Sequence, residues 1–468
     1  MSKKIILIFL AAFLIRLIAL NQSLWLDEAV TAKVVMNYGF VQIISKFSPT
    51  DFHPPLYYLF MKLWTNVFGY SEIALRMPSV LFSLMTGYVI FLIGGIWSAI
   101  FFLFNPLIVY YSQEARMYML MTCLLTAGLY YFFESQKLEV KSQKLNSKVK
   151  SLFLMNLCFT LAFLTFYGSA FLIATVILYF SFKKNYKIFI LNTLYFILIT
   201  LIISPLLFHQ LTYSKIALAG VSNWSSVLGK VDIKNLLLIP IKFSIGRISF
   251  YPKWLYWGIA GIWTGFVLSQ IFLRLRSGQA KIKNIYLFYY LFTFPLILGF
   301  LVSFFAPMLQ YFRFIFLIPI MALILSYGLS SQPKFNRRGC ILVGGFLTFS
   351  LVYLLNPSFH REDWKNLVRN LPKDKPVYMI MASSDPVTYY STNLRVKELI
   401  RLRASFSEVA TKAGQDFGGQ SELEKSIIVI PFSAGVYGLE YKSLLSKSGY
   451  KLKKEVSFRE VTYEQWIK

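Results

Sequence analysis

The sequence predicts a polytopic α-helical membrane protein of about eleven transmembrane helices with a small C-terminal α/β domain. Three observations carry this expectation. Hydrophobic residues make up 56% of the 468, and charged residues only 15%, where about 25% is usual in a globular domain. Several apolar runs reach the length needed to cross a bilayer. The formal charge of +27 is also unevenly spread, with +22 on residues 1–356 and +5 on residues 357–468. A soluble enzyme, a disordered scaffold and a secreted disulfide domain are excluded. The cations gather beside apolar runs, which is the positive-inside pattern, so no nucleic-acid partner is expected.

Apolar stretches run at 5–24, 77–92, 96–111, 118–133, 152–166, 169–182, 188–208, 254–273, 285–305, 311–329 and 340–356. Short basic segments fall between alternate members: Lys3 and Lys4, Lys137 to Lys150, Lys183 to Lys187, Arg274 to Lys283, and Lys334 to Arg338. Placing them all inside puts the N-terminus in the cytoplasm and the C-terminal segment outside, in a multi-pass protein of the cell membrane surrounded by membrane lipids. The first run contains Arg16, and no small-x-small cleavage site follows it, so it reads as an uncleaved first span rather than a signal peptide. Between Met77 and Tyr111 there is room for two spans only if both are short and turn at Gly94-Gly95. A single crossing would instead place the five-lysine loop 137–150 outside. Trp254, Tyr256 and Trp257 are expected in an interfacial aromatic belt. Cys123, Cys158 and Cys340 all fall in apolar runs without metal-type spacing and read as small apolar residues.

Residues 1–356 thus form a transmembrane domain whose first outer loop covers about 25–76. Residues 357–468 form an outer α/β domain. Its predicted elements are a charged helix Arg361–Leu371, strands Val377–Met381 and Ile427–Pro431, an amphipathic stretch Leu439–Lys447, and a strand near Lys453–Val461. It holds no Gly-rich phosphate loop and no nucleophile elbow. The stretch from His209 to Pro252, with Trp224, Lys230, Lys234, Lys242 and Arg247, reads either as a lid or as interfacial helices with snorkelling lysines.

The transmembrane domain has only eight acidic residues. Five of them (Asp27, Glu28, Asp51, Glu72 and Glu114) fall on one outer face under this topology. Carboxylates beside hydrocarbon are expensive and usually functional, against the plain alternative that solvated loops are where acids go. The first loop reads Trp25-Leu26-Asp27-Glu28 and then Asp51-Phe52-His53-Pro54-Pro55. His53 is one of only three histidines, and the prolines stiffen the backbone after it. Glu114 and Arg116 lie between two apolar runs, where Arg suits bidentate contact with a phosphate or carboxylate. A local salt bridge is the alternative.

The order WLDE, HPPLYY, LRMPS and YYSQEARMY resembles the PMT/aminoarabinose-transferase group, glycosyltransferase family thirty-nine of the GT-C superfamily. The likeness is close over residues 1–120. It is looser at QYFRFIFLIP (310–319) and HREDWKNLVRNL (360–371), which are similar to bacterial members. The segment between LRMPS and the following NP is shorter than in those relatives. The resemblance implies a GT-C-type helical fold and an inverting transfer of a hexose or pentose from a polyprenyl-phosphate donor to a hydroxyl of a protein, lipid or glycan acceptor. By match to the family's DE motif, Asp27 is the expected base, with Glu28 supporting it. His53 would face the leaving phosphate. Arg116 and Arg313 would bind that phosphate, unless Arg116 pairs with Glu114. Gln113 and Tyr118 would contact the sugar or hold the loop. Family members do not uniformly require a metal and no ligand set is evident, so no cofactor is expected, a divalent metal being the alternative.

Two other classes compete. In a transporter or flippase, charges such as Arg16 would mark a translocation path. In a non-catalytic scaffold with an exported binding domain, the loop acids would be incidental.

Overall fold

The computed structural model describes residues 3–140, 145–219, 221, 223, 228–276, 283–327, 329, 336–391, 393–394, 396–399 and 425–468. Parts of three predicted basic loops (141–144, 277–282 and 330–335) and Trp224 lie outside the described residues. The chain divides into two compact units. The first comprises Met1–Leu20, Tyr38–Tyr213 and Leu228–Phe359; the second comprises Asn21–Asn37, Ser214–Val227 and His360–Lys468.

The first unit is helical. Among the described residues five helices are long and apolar enough to cross a membrane: Glu72–Gly94, Tyr186–Ala217, Lys253–Phe272, Ile285–Val302 and Arg337–Leu355. Each falls on a predicted run. The other runs fold as shorter or less apolar helices, for local reasons. The first run gives a helix of 15 residues, Lys3–Leu17, which stops short of Ala19 in the left-handed region at φ 55°. Run 96–111 is split into Ile96–Leu103 and Pro106–Ser112. The break is written in the sequence. Asn105 accepts hydrogen bonds from the amides of Leu107 (3.0 Å) and Ile108 (3.2 Å), and Pro106 occupies the first helical position, which is a helix start inside an apolar run. Run 311–329 begins as a 3₁₀ segment, Tyr311–Leu317, and only then becomes the helix Ile318–Tyr327. Helices Tyr118–Val140 and Leu145–Phe163 are long, but Glu134 and Lys137 on one and Lys148 and Lys150 on the other make them more polar.

The chain does reverse at Gly94-Gly95. Ser71 caps the Glu72–Gly94 helix by accepting from the Ala74 amide at 3.2 Å, and Gly95 ends it at φ 81°, a conformation that glycine adopts without strain. Helix Ile96–Leu103 then packs back on its partner. A Cβ at Gly87 would lie 2.5 Å from Leu103, and one at Gly94 would lie 2.5 Å from Leu323, so both glycines permit close helix packing. Arg16 ties this hairpin to the first helix. Its guanidinium donates to Ser83 Oγ, to the Ala12 carbonyl and to the Leu103 carbonyl, each at 2.8 Å. The residue is fully buried and serves a helix end that would otherwise leave its carbonyl unmet. Trp254 and Trp257 are exposed as a belt requires, whereas Tyr256 turns inward and accepts a hydrogen bond from Lys242 Nζ at 3.0 Å.

The second unit is built on a five-stranded sheet: β1 Val377–Met379, β2 Val396–Glu398, β3 Ser426–Val429, β4 Lys451–Phe458 and β5 Val461–Ile467, in the order β2-β1-β3-β5-β4. β1 runs parallel to β2 and β3, while β5 runs antiparallel to β3 and β4. The strand expected near 453–461 is thus the first arm of a hairpin that turns at Glu460, φ 59°. One core joins Trp364, Leu367 and Val368 of helix Trp364–Asn370 to Val377, Met379 and Tyr463. The other joins Ile427, Val429 and Trp466 to Tyr441 and Leu445 of helix Tyr441–Lys447.

A carboxylate sits inside that second core. Glu464 is 2% exposed and accepts from Tyr441 OH and Trp466 Nε1, each at 2.9 Å, while pairing with Lys442 at 2.9 Å. Its negative charge holds Lys442 above the ordinary lysine range, chiefly through that hydrogen bond. Glu464→Ala would strand two buried donors, so it is expected to destabilise the unit by about 3 kcal/mol. Thermal unfolding of the variant against the wild type checks this.

Candidate active site

The residues singled out from the sequence divide between the two units. Asp27 and Glu28 open the helix Leu26–Asn37 of the second unit. His53, Gln113, Glu114, Arg116, Tyr118 and Arg313 belong to the first.

Asp27 and Glu28 are neighbours with opposite surroundings. Glu28 is fully buried. One of its oxygens accepts the Trp25 amide at 3.4 Å, closing the first helical turn as a capping box does, and lies 3.6 Å from Arg361 Nε. Asp27 stays half-buried in the same turn. Adjacent helix positions differ by about 100° around the axis, which is how one carboxylate is consumed by structure and the next is left accessible.

In the first unit, His53 follows a polar turn. Its Nδ1 lies 3.4 Å from both carboxylate oxygens of Asp51, and its ring stacks on Phe166. Gln210 fixes the turn by donating to the carbonyls of Ser48 (2.8 Å) and His53 (3.0 Å), and it accepts from Tyr167 OH at 2.7 Å. Burial pushes the Asp51 carboxyl up, but the His53 charge and hydrogen bond, with Arg116 and the Phe52 amide, hold it below the usual carboxylate range. A depressed folded value means that the stabilisation is complete above the unfolded value of about 3.9 and is lost as pH falls through the folded one. In a pH series of melting curves, Asp51→Asn is expected to lower the melting temperature at neutral pH. The gap from the wild type should close in acid.

The YYSQEARMY segment is buried throughout. Gln113 Nε2 donates to the carbonyls of Arg16 (2.9 Å) and Ile18 (2.6 Å), so it holds the end of the first helix. Arg116 is 4% exposed and donates to Tyr58 OH at 3.3 Å. Glu114 is also buried, and Ser79 donates to its backbone carbonyl. Arg313 donates to the Pro307 carbonyl at 3.2 Å and lies against the Phe312 ring. Tyr118 makes edge contacts with Tyr111, Phe166 and Phe312.

Those contacts form a continuous aromatic path from His53 through Phe166, Tyr118, Tyr111 and Tyr110. It ends on a residue that the motif reading did not include in the site. Arg247 donates to Tyr110 OH at 2.9 Å, with its guanidinium carbon 5.0 Å from the Tyr110 ring centre. It keeps exposed surface although protein surrounds it. Burial works against its charge, and Tyr110, Tyr311, Tyr111 and Glu114 more than offset that, raising its pKa well above the ordinary arginine value. Lys242 steadies the loop by donating to the Ile248 carbonyl at 3.1 Å and to Tyr256. The result is an accessible cation held against Tyr110, suited to an anionic ligand. Its signal in the sequence is the lone Arg in an aromatic stretch that reads either as a lid or as interfacial helices. Among the described residues no group of three or more His, Cys, Asp or Glu is placed to hold a metal ion.

The family model described as dolichyl-phosphate-mannose-protein mannosyltransferase matches residues 52–209. That stretch takes in HPPLYY, LRMPS and YYSQEARMY, and WLDE lies before it. The apo structure of ArnT from Cupriavidus metallidurans is 11% identical, with a TM-score of 0.58 over 98% of this chain and 97% of that one. The structure of the same protein bound to undecaprenyl phosphate is 11% identical with a TM-score of 0.55, covering 99% and 98%. The archaeal oligosaccharyltransferase AglB from Archaeoglobus fulgidus, in complex with an inhibitory peptide and a dolichol-phosphate, is 10% identical with a TM-score of 0.52, covering 98% and 74%. Among curated proteins no sequence matches. At these identities the likeness establishes the fold. The resemblance to the PMT/aminoarabinose-transferase group drawn from the motifs is supported by the family model over residues 52–209 and by the fold shared with ArnT.

Proposed function

We propose that this protein is an inverting glycosyltransferase that moves a hexose or pentose from a polyprenyl-phosphate donor to an acceptor hydroxyl at the outer face of the cell membrane. The observation that carries the reading is Arg247, an accessible guanidinium hydrogen-bonded to Tyr110 at the end of the aromatic path from His53. It stands in a fold also found in a protein bound to undecaprenyl phosphate. In this reading the chain crosses the membrane about eleven times, with the N-terminus in the cytoplasm and the C-terminal domain outside.

The step balances without an added reagent. The acceptor oxygen attacks the anomeric carbon as its proton passes to Asp27. The bond from that carbon to the phosphate oxygen breaks, and the electron pair leaves with the lipid phosphate. A phosphodiester with one negative charge becomes a monoester with up to two, so cations on that side favour the transition state over the ground state. Arg247 takes that role, and His53, whose Nδ1 lies 3.4 Å from Asp51, faces the same phosphate. Arg116, which donates to Tyr58, and Arg313, which donates to the Pro307 carbonyl, are further candidates for the phosphate, and Gln113 and Tyr118 for the sugar or for holding the loop. No metal is assigned a role in this reading, which gives the charge on the leaving phosphate to Arg247.

The transporter reading loses its marker, since all three guanidinium nitrogens of Arg16 are bonded within the helical packing. Purified protein incubated with polyprenyl-phosphate sugars and candidate acceptors tests the proposal by mass measurement. One sugar mass added to an acceptor for each polyprenyl phosphate released is the expected result. Protein-dependent lipid movement in vesicles without sugar transfer would replace this reading with a flippase.

A further inference from the structure

The HREDW segment has no part in the chemistry above, yet its arginine reaches the helix that carries the proposed base. We infer that the C-terminal domain clamps the Asp27 helix, with Arg361 as a positioning residue acting through Glu28. The inference rests on the reading of Asp27 as the base.

Four sets of contacts, all within the second unit, support it. Arg361 is 3% exposed and Glu28 is fully buried, with Arg361 Nε 3.6 Å from Glu28 Oε2. The Arg361 amide donates to Gln22 Oε1 at 3.2 Å, and Arg459 Nε donates to the Arg361 carbonyl at 2.6 Å. Next along, the Lys365 amide donates to Ser23 Oγ at 3.2 Å and the Leu24 amide donates to Tyr390 OH at 2.8 Å. At the far end Lys33 pairs with Asp385 at 2.6 Å, and helix Asp385–Tyr390 packs along Leu26–Asn37.

These contacts fall where a short helix most needs them. Twelve residues, Leu26–Asn37, make a helix that is marginal on its own, and its first turn, which holds Asp27, frays first. Each residue from Gln22 to Leu24 before the helix is held by the domain, and so is Glu28 within the first turn. Asp27 is the acid that this fixing leaves accessible. A general base must be held close to its reacting geometry, and small misplacements cost rate rather than binding. The clamp therefore predicts a defect in kcat with the donor KM retained.

Arg361→Met in the full-length, detergent-solubilised protein is expected to lower kcat about ten- to a hundredfold and leave the donor KM within about twofold. Arg361→Lys should recover most of that loss. Glu28→Gln combined with Arg361→Met should be no worse than the weaker single variant, because the two act as one pair. Tyr390→Phe deletes only one hydroxyl, and so tests the clamp without threatening the fold; several-fold lower kcat at an unchanged melting temperature is expected. Wild-type kcat in both Arg361→Met and Tyr390→Phe overturns the clamp while leaving the base assignment intact. Losses shared equally by kcat and KM, and tracking the melting temperature, also overturn it. Activity retained by Asp27→Asn would instead remove the reading of Asp27 on which the clamp depends.

Discussion

Asp27→Asn is expected to lower sugar transfer roughly 10²–10⁴-fold, with the protein still folded and inserted. Asn keeps the shape and most hydrogen bonds of Asp but cannot accept the acceptor's proton. The neighbouring acid offers no substitute, because Glu28 is fully buried against the Trp25 amide and Arg361. Glu28→Gln should therefore disturb kcat far less than Asp27→Asn. The check is kcat measured with a saturating lipid-linked donor, alongside melting curves of both variants. Near-wild-type turnover in Asp27→Asn would move the base elsewhere in the chain.

Arg247→Met is expected to reduce kcat by roughly 10²–10³-fold, the usual cost of removing one charge-stabilising group from a transition state. The donor KM should rise much less, since the leaving phosphate gains its second charge only as the bond breaks. Arg247→Lys keeps the charge but loses the planar fork and the stacking on Tyr110, so rescue should be partial. Tyr110→Phe removes one hydrogen bond of 2.9 Å and should cost about tenfold at most. If Arg247→Met raises KM and leaves kcat intact, Arg247 binds the donor without favouring its departure.

Much of the fold was legible in composition and hydropathy, because a long apolar run has few alternatives to a helix. What those measures miss is where a run breaks. Asn105-Pro106 is a helix start in plain sight, yet it sits among Phe, Leu and Ile and its two polar atoms hardly change an average. The 3₁₀ segment Tyr311–Leu317 carries no such mark, since its departure from the helix is set by packing. In the C-terminal unit the alternation from Val461 to Trp466 is interrupted by Glu464, which reads as solvent-facing. Only the tertiary partners Tyr441, Lys442 and Trp466 make that position a buried one.

The candidate site of the motif reading and the residues that the structure adds to it overlap only in part. Motif order picked out Asp27, Glu28 and His53. The partnership of Asp51 with His53 was available from their spacing of two residues but was not drawn. Arg247 could not be selected over the other cations of 209–253 without seeing that it meets Tyr110. Gln113 and Arg116 belong to a strongly patterned segment, and the structure gives Gln113 a plain reason to be there, since it holds the carbonyls of Arg16 and Ile18.

The second unit joins Gln22 to Arg361 and Leu24 to Tyr390, contacts that span 339 and 366 positions of the chain. At about 5–20 residues per second, the Leu26–Asn37 helix leaves the ribosome roughly 15–70 s before its partners exist. Through that interval it is a short helix with Glu28, Ala29, Val34 and Val35 uncovered, while the bilayer receives everything made in between. The order of synthesis thus has the Asp27 helix translated long before its partners and docked only once they are made. A chain stopped before His360 carries every residue proposed for catalysis and still lacks the partners that bury Glu28.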